Sequence, residues 1–200
     1  MKTSSAAAKL QLSLWLFLFL LVPSLAQAHP GGVGHTHGLT NGLLHPLTGL
    51  DHICALLAVG LWAAQRGGRA VWLVPLTFVS VMAFGGLLGA SEISVPFVEQ
   101  GIAASVLILG LLIAASARLP LVASALLVGA FAIFHGYAHG AEMPAGVSGM
   151  SYSFGFVTAT VLLHVAGIAA VLAAKNWQSQ NFVRLAGGAI ATCGLALCLA

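Results

Sequence analysis

Apolar residues in this chain come in long unbroken runs, separated by short polar punctuation. The first run, from Leu10 to Val22, follows Lys2 and Lys9, is broken by Pro23 and leads into Ala26-Gln27-Ala28. A positive start, a short apolar stretch and small residues at the cleavage positions describe a bacterial secretory signal over residues 1–28. Six more apolar segments follow, at about 43–64, 70–90, 96–116, 119–140, 151–174 and 183–200. Most reach the roughly 20 residues that a helix needs to cross bilayer hydrocarbon; the last is short. The pattern predicts an all-α fold, a polytopic membrane helical bundle with six transmembrane helices after a cleaved signal peptide. The expected organisation is signal peptide 1–28, a flexible His-rich periplasmic tail 29–42 and a six-helix transmembrane domain 43–200. The loops are tight, so no soluble domain and no long-period repeat are expected.

Composition strengthens this reading. Sixty per cent of the 200 residues are hydrophobic and 6% are charged, with a mean hydropathy of +1.03, whereas soluble domains carry roughly 25% charged residues. So little charge cannot cover a water-soluble globule, and the lipid bilayer is the solvent that suits the chain. The net charge of +3 is scattered, which excludes a basic stripe and with it nucleic acid as a partner. Cys54, Cys193 and Cys198 are odd in number and form no CxxC pair, so they read as small buried packing residues.

The charges also orient the bundle. Arg66 and Arg69 fall between the first two segments, Arg118 between the third and fourth, and Lys175 and Arg184 between the last two. Glu92, Glu99 and Glu142 flank the opposite turns. All basic residues of the mature chain thus lie on one side, the cytoplasmic one by the positive-inside rule, which leaves residue 29 periplasmic. The signal peptide requires the same placement independently, and the expected location is the bacterial inner membrane. Small residues at Gly85/Gly89, Gly86/Ala90 and Gly136/Gly140 have the spacing that lets helices approach closely in lipid.

Two polar clusters interrupt the apolar runs. The first, His45-Pro46-Leu47-Thr48-Gly49-Leu50-Asp51-His52, opens the first segment. In a regular helix His45 and His52 would stand about 10.5 Å apart along the axis, too far to share an ion bound at about 2 Å. Either Pro46 and Gly49 mark a local unwinding, or the two histidines serve different sites. Asp51 reads as the carboxylate well within a span, and an ionised group there needs a cationic partner. The second cluster, Phe134-His135-Gly136-Tyr137-Ala138-His139-Gly140-Ala141-Glu142, closes the fourth segment. His135 and His139 are one turn apart and Glu142 follows on the same face, a stripe that can chelate a divalent transition metal. The topology puts both clusters in the outer half of the membrane. His164, 13 residues beyond Ser151, falls about 20 Å deeper in a regular helix; it reads equally as a relay or as a helix-pairing residue. The tail offers His29, His35 and His37 among Gly and Pro, a composition that captures metal weakly.

On these residues the chain resembles the HupE/UreJ family of hydrogenase and urease accessory membrane proteins. His45, Pro46, Gly49, Asp51 and His52 fit the family's HPxxGxDH motif, and Phe134, His135, Gly136, Ala138, His139, Gly140 and Glu142 fit its FHGxAHGxE motif. The resemblance covers the whole mature chain. It implies a secondary permease for nickel or cobalt, with Ni²⁺ or Co²⁺ as transported substrate and no prosthetic group. It does not imply an enzyme, and homo-oligomer formation is left open. Two other readings stand beside it. A cytochrome-like protein would hold haem between intramembrane histidines such as His52 and His135, and an intramembrane metalloprotease would need the HExxH motif that the chain lacks.

Overall fold

The structure, a computed structural model, describes residues 37–91, 93–173 and 177–200. Every regular element among them is an α-helix: α1 (His37–Thr48), α2 (Leu50–Arg66), α3 (Ala70–Ala90), α4 (Val98–Ala114), α5 (Leu121–Ala141), α6 (Gly149–Ala173) and α7 (Trp177–Leu199). The expected signal peptide, His29 and His35 lie outside the described residues, as do Glu92 and Lys175.

Among the described residues four stretches are long and apolar enough to cross a membrane: α3, α5, α6 and Asn181–Leu199 of α7. A fifth is added if α1 and α2 count as one broken span. The segment expected at 43–64 is therefore not a single helix. It breaks at Gly49, whose backbone is extended (φ −96°, ψ 123°), and the two pieces meet at 84°. The segment expected at 96–116 forms the 17-residue α4, about 26 Å long at 1.5 Å per residue and shorter than a hydrocarbon core of about 30 Å. The segment expected to be short, 183–200, belongs instead to a helix of 23 residues.

The tail also departs from expectation, because residues 37–42 are not loose but form the first turns of α1. Glycines explain why this short helix stays folded against α6. A Cβ on Gly42 would strike the Tyr152 carbonyl, and one on Gly155 the Leu39 carbonyl, so the two backbones touch. The same device joins α3 to α5: a Cβ at Gly85 would meet the carbonyl of Ile133, at Gly89 that of Tyr137, at Gly136 that of Met82 and at Gly140 that of Gly86. Gly60 and Gly167 do this for α2 and α6, and Gly110, Gly187 and Gly194 for α4 and α7. Without a hydrophobic effect between helices in lipid, close backbone approach and dispersion hold them together.

The centre of the bundle is α2. Its run from Ala58 to Ala64 is buried at every position, which a helix shows only when neighbours surround it. It packs on α3, α4, α6 and α7. Large apolar side chains such as Trp72, Phe84, Leu87, Leu126, Phe154 and Leu162 point outward instead, the arrangement that bilayer hydrocarbon favours. The C-terminal end of α2 is tied to α4 by polar contacts: Trp62 Nε1 donates to Ala117 O (3.1 Å), and Gln65 Nε2 donates to Ile113 O (3.1 Å) and Ser116 Oγ (3.0 Å). Arg184 Nε donates to Ala114 O at 2.9 Å. Arg66 and Arg184 therefore share one end of the bundle, and the His45 and Glu142 cluster occupies the other. All three cysteines are free thiols. Cys54 is buried and Cys193 half-buried with sulfurs 4.0 Å apart, as a packing role requires, whereas Cys198 is exposed rather than buried.

Candidate metal centre

The break at Gly49 builds the site. Thr48 Oγ1 donates to His45 O at 2.7 Å in the last turn of α1, and α2 restarts at Leu50 with Asp51 in its first turn. The bend collapses the separation a straight helix would impose, and the His45 and His52 rings come to 6.4 Å between centroids. Of the two readings left open by the spacing, local unwinding is the one that the chain adopts. Gly49 is required for steric reasons as well. A Cβ there would lie 2.5 Å from Asp51 Oδ1 and 3.0 Å from His52 Nδ1.

Around this bend six of the seven described candidate residues whose side chains are placed come together, and the seventh, His164, lies one ring further in. His45 Nε2 is 3.4 Å from Glu142 Oε2, and the His45 ring is 4.7 Å from that of His139. One donor atom from each of His45, His139 and Glu142 lies within 4.8 Å of the others. Donors sharing an ion at bond lengths of about 2 Å stand no more than about 4 Å apart, so the trio needs to close by less than about 1 Å. His139 also touches His52 (4.5 Å between centroids), and His52 touches His135 (5.0 Å). The Phe78 ring stands next, 5.6 Å from His135 and 5.2 Å from His164. The result is a column of rings running inward. Its side chains grow more enclosed with depth, from 55% exposed at Glu142 and 32% at His45 to fully buried at His135 and 2% at His164.

The hydrogen bonds decide what these rings offer. His52 Nδ1 lies 3.0 Å from the Asp51 carboxylate, which can only accept, so Nδ1 carries a proton and the neutral ring has its lone pair on Nε2. His164 Nδ1 donates to the Leu56 carbonyl at 2.8 Å, which again leaves Nε2 free. His135 Nε2 is 2.9 Å from Ser105 Oγ. The remaining nitrogens, His52 Nε2, His135 Nδ1, His164 Nε2 and both of His139, are buried without a hydrogen-bond partner among the described residues. The Tyr152 hydroxyl is buried and unpartnered too, with its ring 6.1 Å from His45. A buried polar atom left unsatisfied costs about 1–3 kcal/mol. In the neutral rings four of these nitrogens, one each on His52, His135, His139 and His164, carry a lone pair that an electron-pair acceptor would satisfy, and the second nitrogen of His139 carries its proton.

Asp51 stands behind His52 rather than beside the other donors. It sits in the first turn of α2, with 24% of its side chain exposed, and borders a cavity of about 290 Å³ that Glu99 and Ala200 also line. The helix containing Asp51 begins only one residue earlier, so the carboxylate stands just past the break, in the interior of the α1–α2 pair. A carboxylate fixing the far nitrogen of a metal-binding histidine is a common arrangement. His37 opens α1. Sequence reasoning passed over Ser105, Phe78, Tyr152 and Glu99 as site residues; the first two lie in apolar helices where nothing local separates them from packing residues.

The His52 and His135 rings meet edge-on at 89° with centroids 5.0 Å apart, so as placed they do not flank a macrocycle as the two ligands of a bis-imidazole haem would.

Known proteins resemble the chain along most of its length. The profile of the HupE / UreJ protein family matches residues 17–197, nearly the whole chain and both polar clusters. Protein HupE of Rhizobium leguminosarum bv. viciae is 48% identical over 178 residues, covering 89% of this chain and 92% of that protein. No solved structure matches the chain.

Proposed function

The chain belongs to the HupE/UreJ family, and from that premise we propose that it is a secondary permease carrying Ni²⁺ or Co²⁺ inward across the bacterial inner membrane. Membership places it among membrane accessory and transport proteins and not among enzymes. The observation that supports the finer reading is the column of buried, unpartnered imidazole nitrogens on His52, His135, His139 and His164. Imidazole suits nickel, cobalt, copper and zinc, and suits magnesium or calcium poorly. Glu142 and His45 receive the hydrated ion at the exposed end, His139 and His52 replace its water, and His135 takes it deeper. Tyr152 offers a hydroxyl at the mouth. Phe78 closes the path between His135 and His164, so that an ion held outside is not yet connected to the other end.

Six crossings result if the broken α1–α2 pair and the short α4 each count as one. The positive-inside rule then puts Arg66, Arg69, Arg118 and Arg184 in the cytoplasm and the histidine mouth in the periplasm. The chain holds no GxxxxGK[ST] phosphate loop, and the membrane potential suffices to drive uptake. A divalent cation moving inward gains about 4.6 kcal/mol per 100 mV, twice the value for one charge, or about three decades of concentration. The test is uptake of radioactive nickel or cobalt into proteoliposomes under an imposed inside-negative potential. Accumulation that depends on the potential, and that magnesium does not compete with, is expected. Absence of uptake of both ions would refute the permease reading.

A further inference from the structure

The fourth helix meets the column at Ser105. It is fully buried in the middle of α4, three residues from Ile102 and far in sequence from either polar cluster. Its Oγ has two neighbours. It donates to Ile102 O at 2.6 Å and lies 2.9 Å from His135 Nε2. A hydroxyl has one proton to give. With that proton committed to the carbonyl, Ser105 meets the ring only as an acceptor, and His135 must supply the hydrogen from Nε2. A neutral imidazole protonated on Nε2 keeps its lone pair on Nδ1, and Nδ1 is the nitrogen left buried and unpartnered.

We infer that Ser105 is a positioning residue that selects the tautomer of His135 and so fixes Nδ1 as the atom that meets the transported ion. The inference rests on the permease reading for its ion, though not for the hydrogen bond. Ser105 does for His135 what Asp51 does for His52 and the Leu56 carbonyl for His164, so each of these three rings is held by one nitrogen and presents the other. Without the hydroxyl, His135 could turn about its own bonds or exchange tautomers, and the ion would have to select the competent form from a mixture, which lowers its apparent affinity.

Two measurements on the full chain test this. In the first, the metal-free protein is labelled with ¹³C,¹⁵N-histidine, and the His135 ring signals are identified by their loss in His135→Asn. The wild type should show His135 protonated at Nε2; Ser105→Ala should show a mixed or altered tautomer. In the second, calorimetric titration with nickel or cobalt chloride should give affinity lower by about 10–100-fold in Ser105→Ala, the range typical of groups that orient a metal-binding histidine. Ser105→Thr should recover much of it, because a helical threonine hydroxyl can still bond the carbonyl one turn back. A wild-type His135 protonated at Nδ1 overturns the inference, and so does a Ser105→Ala variant with wild-type affinity while the wild type binds tightly. A wild type that binds neither ion defeats the permease reading and the metal part of the inference. The ring spectrum then still decides the hydrogen bond by itself.

Discussion

Asp51 and His52 are adjacent in sequence, yet their side chains turn to meet each other, with the carboxylate Oδ1 3.0 Å from the ring Nδ1. The contact exists because Gly49 interrupts the helix immediately before them and leaves room for both side chains at the new helix start. The carboxylate faces outward toward a cavity and the free ring nitrogen faces inward to His135 and His139. Charge compensation and lone-pair donation are thereby divided between two neighbouring residues.

Asp51→Asn tests that division. An amide keeps the shape but can present either its oxygen or its NH₂ to His52, so the tautomer and the anionic compensation are both lost. Nickel or cobalt affinity should fall by about 10–100-fold, with insertion unchanged, and the number of protons released on binding should change. Isothermal titration in two buffers of different ionisation heat measures both. Wild-type affinity in the Asn variant would reduce Asp51 to a helix-start residue.

Gly49→Ala is the smallest change that should abolish function without removing a donor. The added methyl would press on Asp51 and His52, so either the side chains separate or the bend between α1 and α2 changes. Uptake in proteoliposomes should drop below a tenth of wild type, while expression and detergent-extracted size stay normal. Normal uptake would mean that the bend tolerates a methyl and that the pair is not geometrically critical.

His139→Ala removes the ring that touches both His45 and His52. Because His139 joins the exposed mouth to the buried column, its loss should weaken binding by more than about 100-fold, beyond the effect of any orienting residue. Glu142→Gln, at the exposed end, should lower uptake at scarce metal and recover at high metal. A variant of Glu142 that stays inactive at saturating metal would place the glutamate inside the binding step instead of at its mouth.

Gly140→Ala probes packing rather than chemistry. A Cβ there meets the Gly86 carbonyl, forcing α3 and α5 apart at the turn that carries His139. Overpacking of this kind costs about 1–3 kcal/mol, so thermal unfolding in detergent should shift downward, with metal affinity falling in parallel. A shift in affinity without any in stability would show that the glycine serves the site alone.

Replacing His29, His35 and His37 together should reduce uptake only when metal is scarce, as weak collection by a His-rich stretch implies. Uptake measured across a wide nickel range checks this; complete loss at saturating metal would tie the tail to the transport step.

How much of this was legible beforehand depends on the range of the interaction. The long apolar runs of α3, α5 and α6 announce themselves, because the bilayer acts on each helix separately and requires about 20 apolar residues of it. His135, His139 and Glu142 share a face by helical period alone, and the chain by itself marked them, together with His45 and His52, as chemistry-bearing polar groups in an apolar setting. The bend at Gly49 was legible only as a choice between two readings, since a glycine permits a break without compelling one. Tertiary contact compels it: α1 lies against α6 through Gly42 and Gly155, whereas α2 runs through the bundle centre. The role of Ser105 was beyond any local signal, as a serine in an apolar helix looks alike whether it bonds its own backbone or also a histidine thirty residues away. Phe78 is the same case, because a phenylalanine becomes a partition only when two imidazoles arrive on either side of it. The types of donor were written along the chain; which nitrogen each one presents was decided by partners that folding brings from other helices.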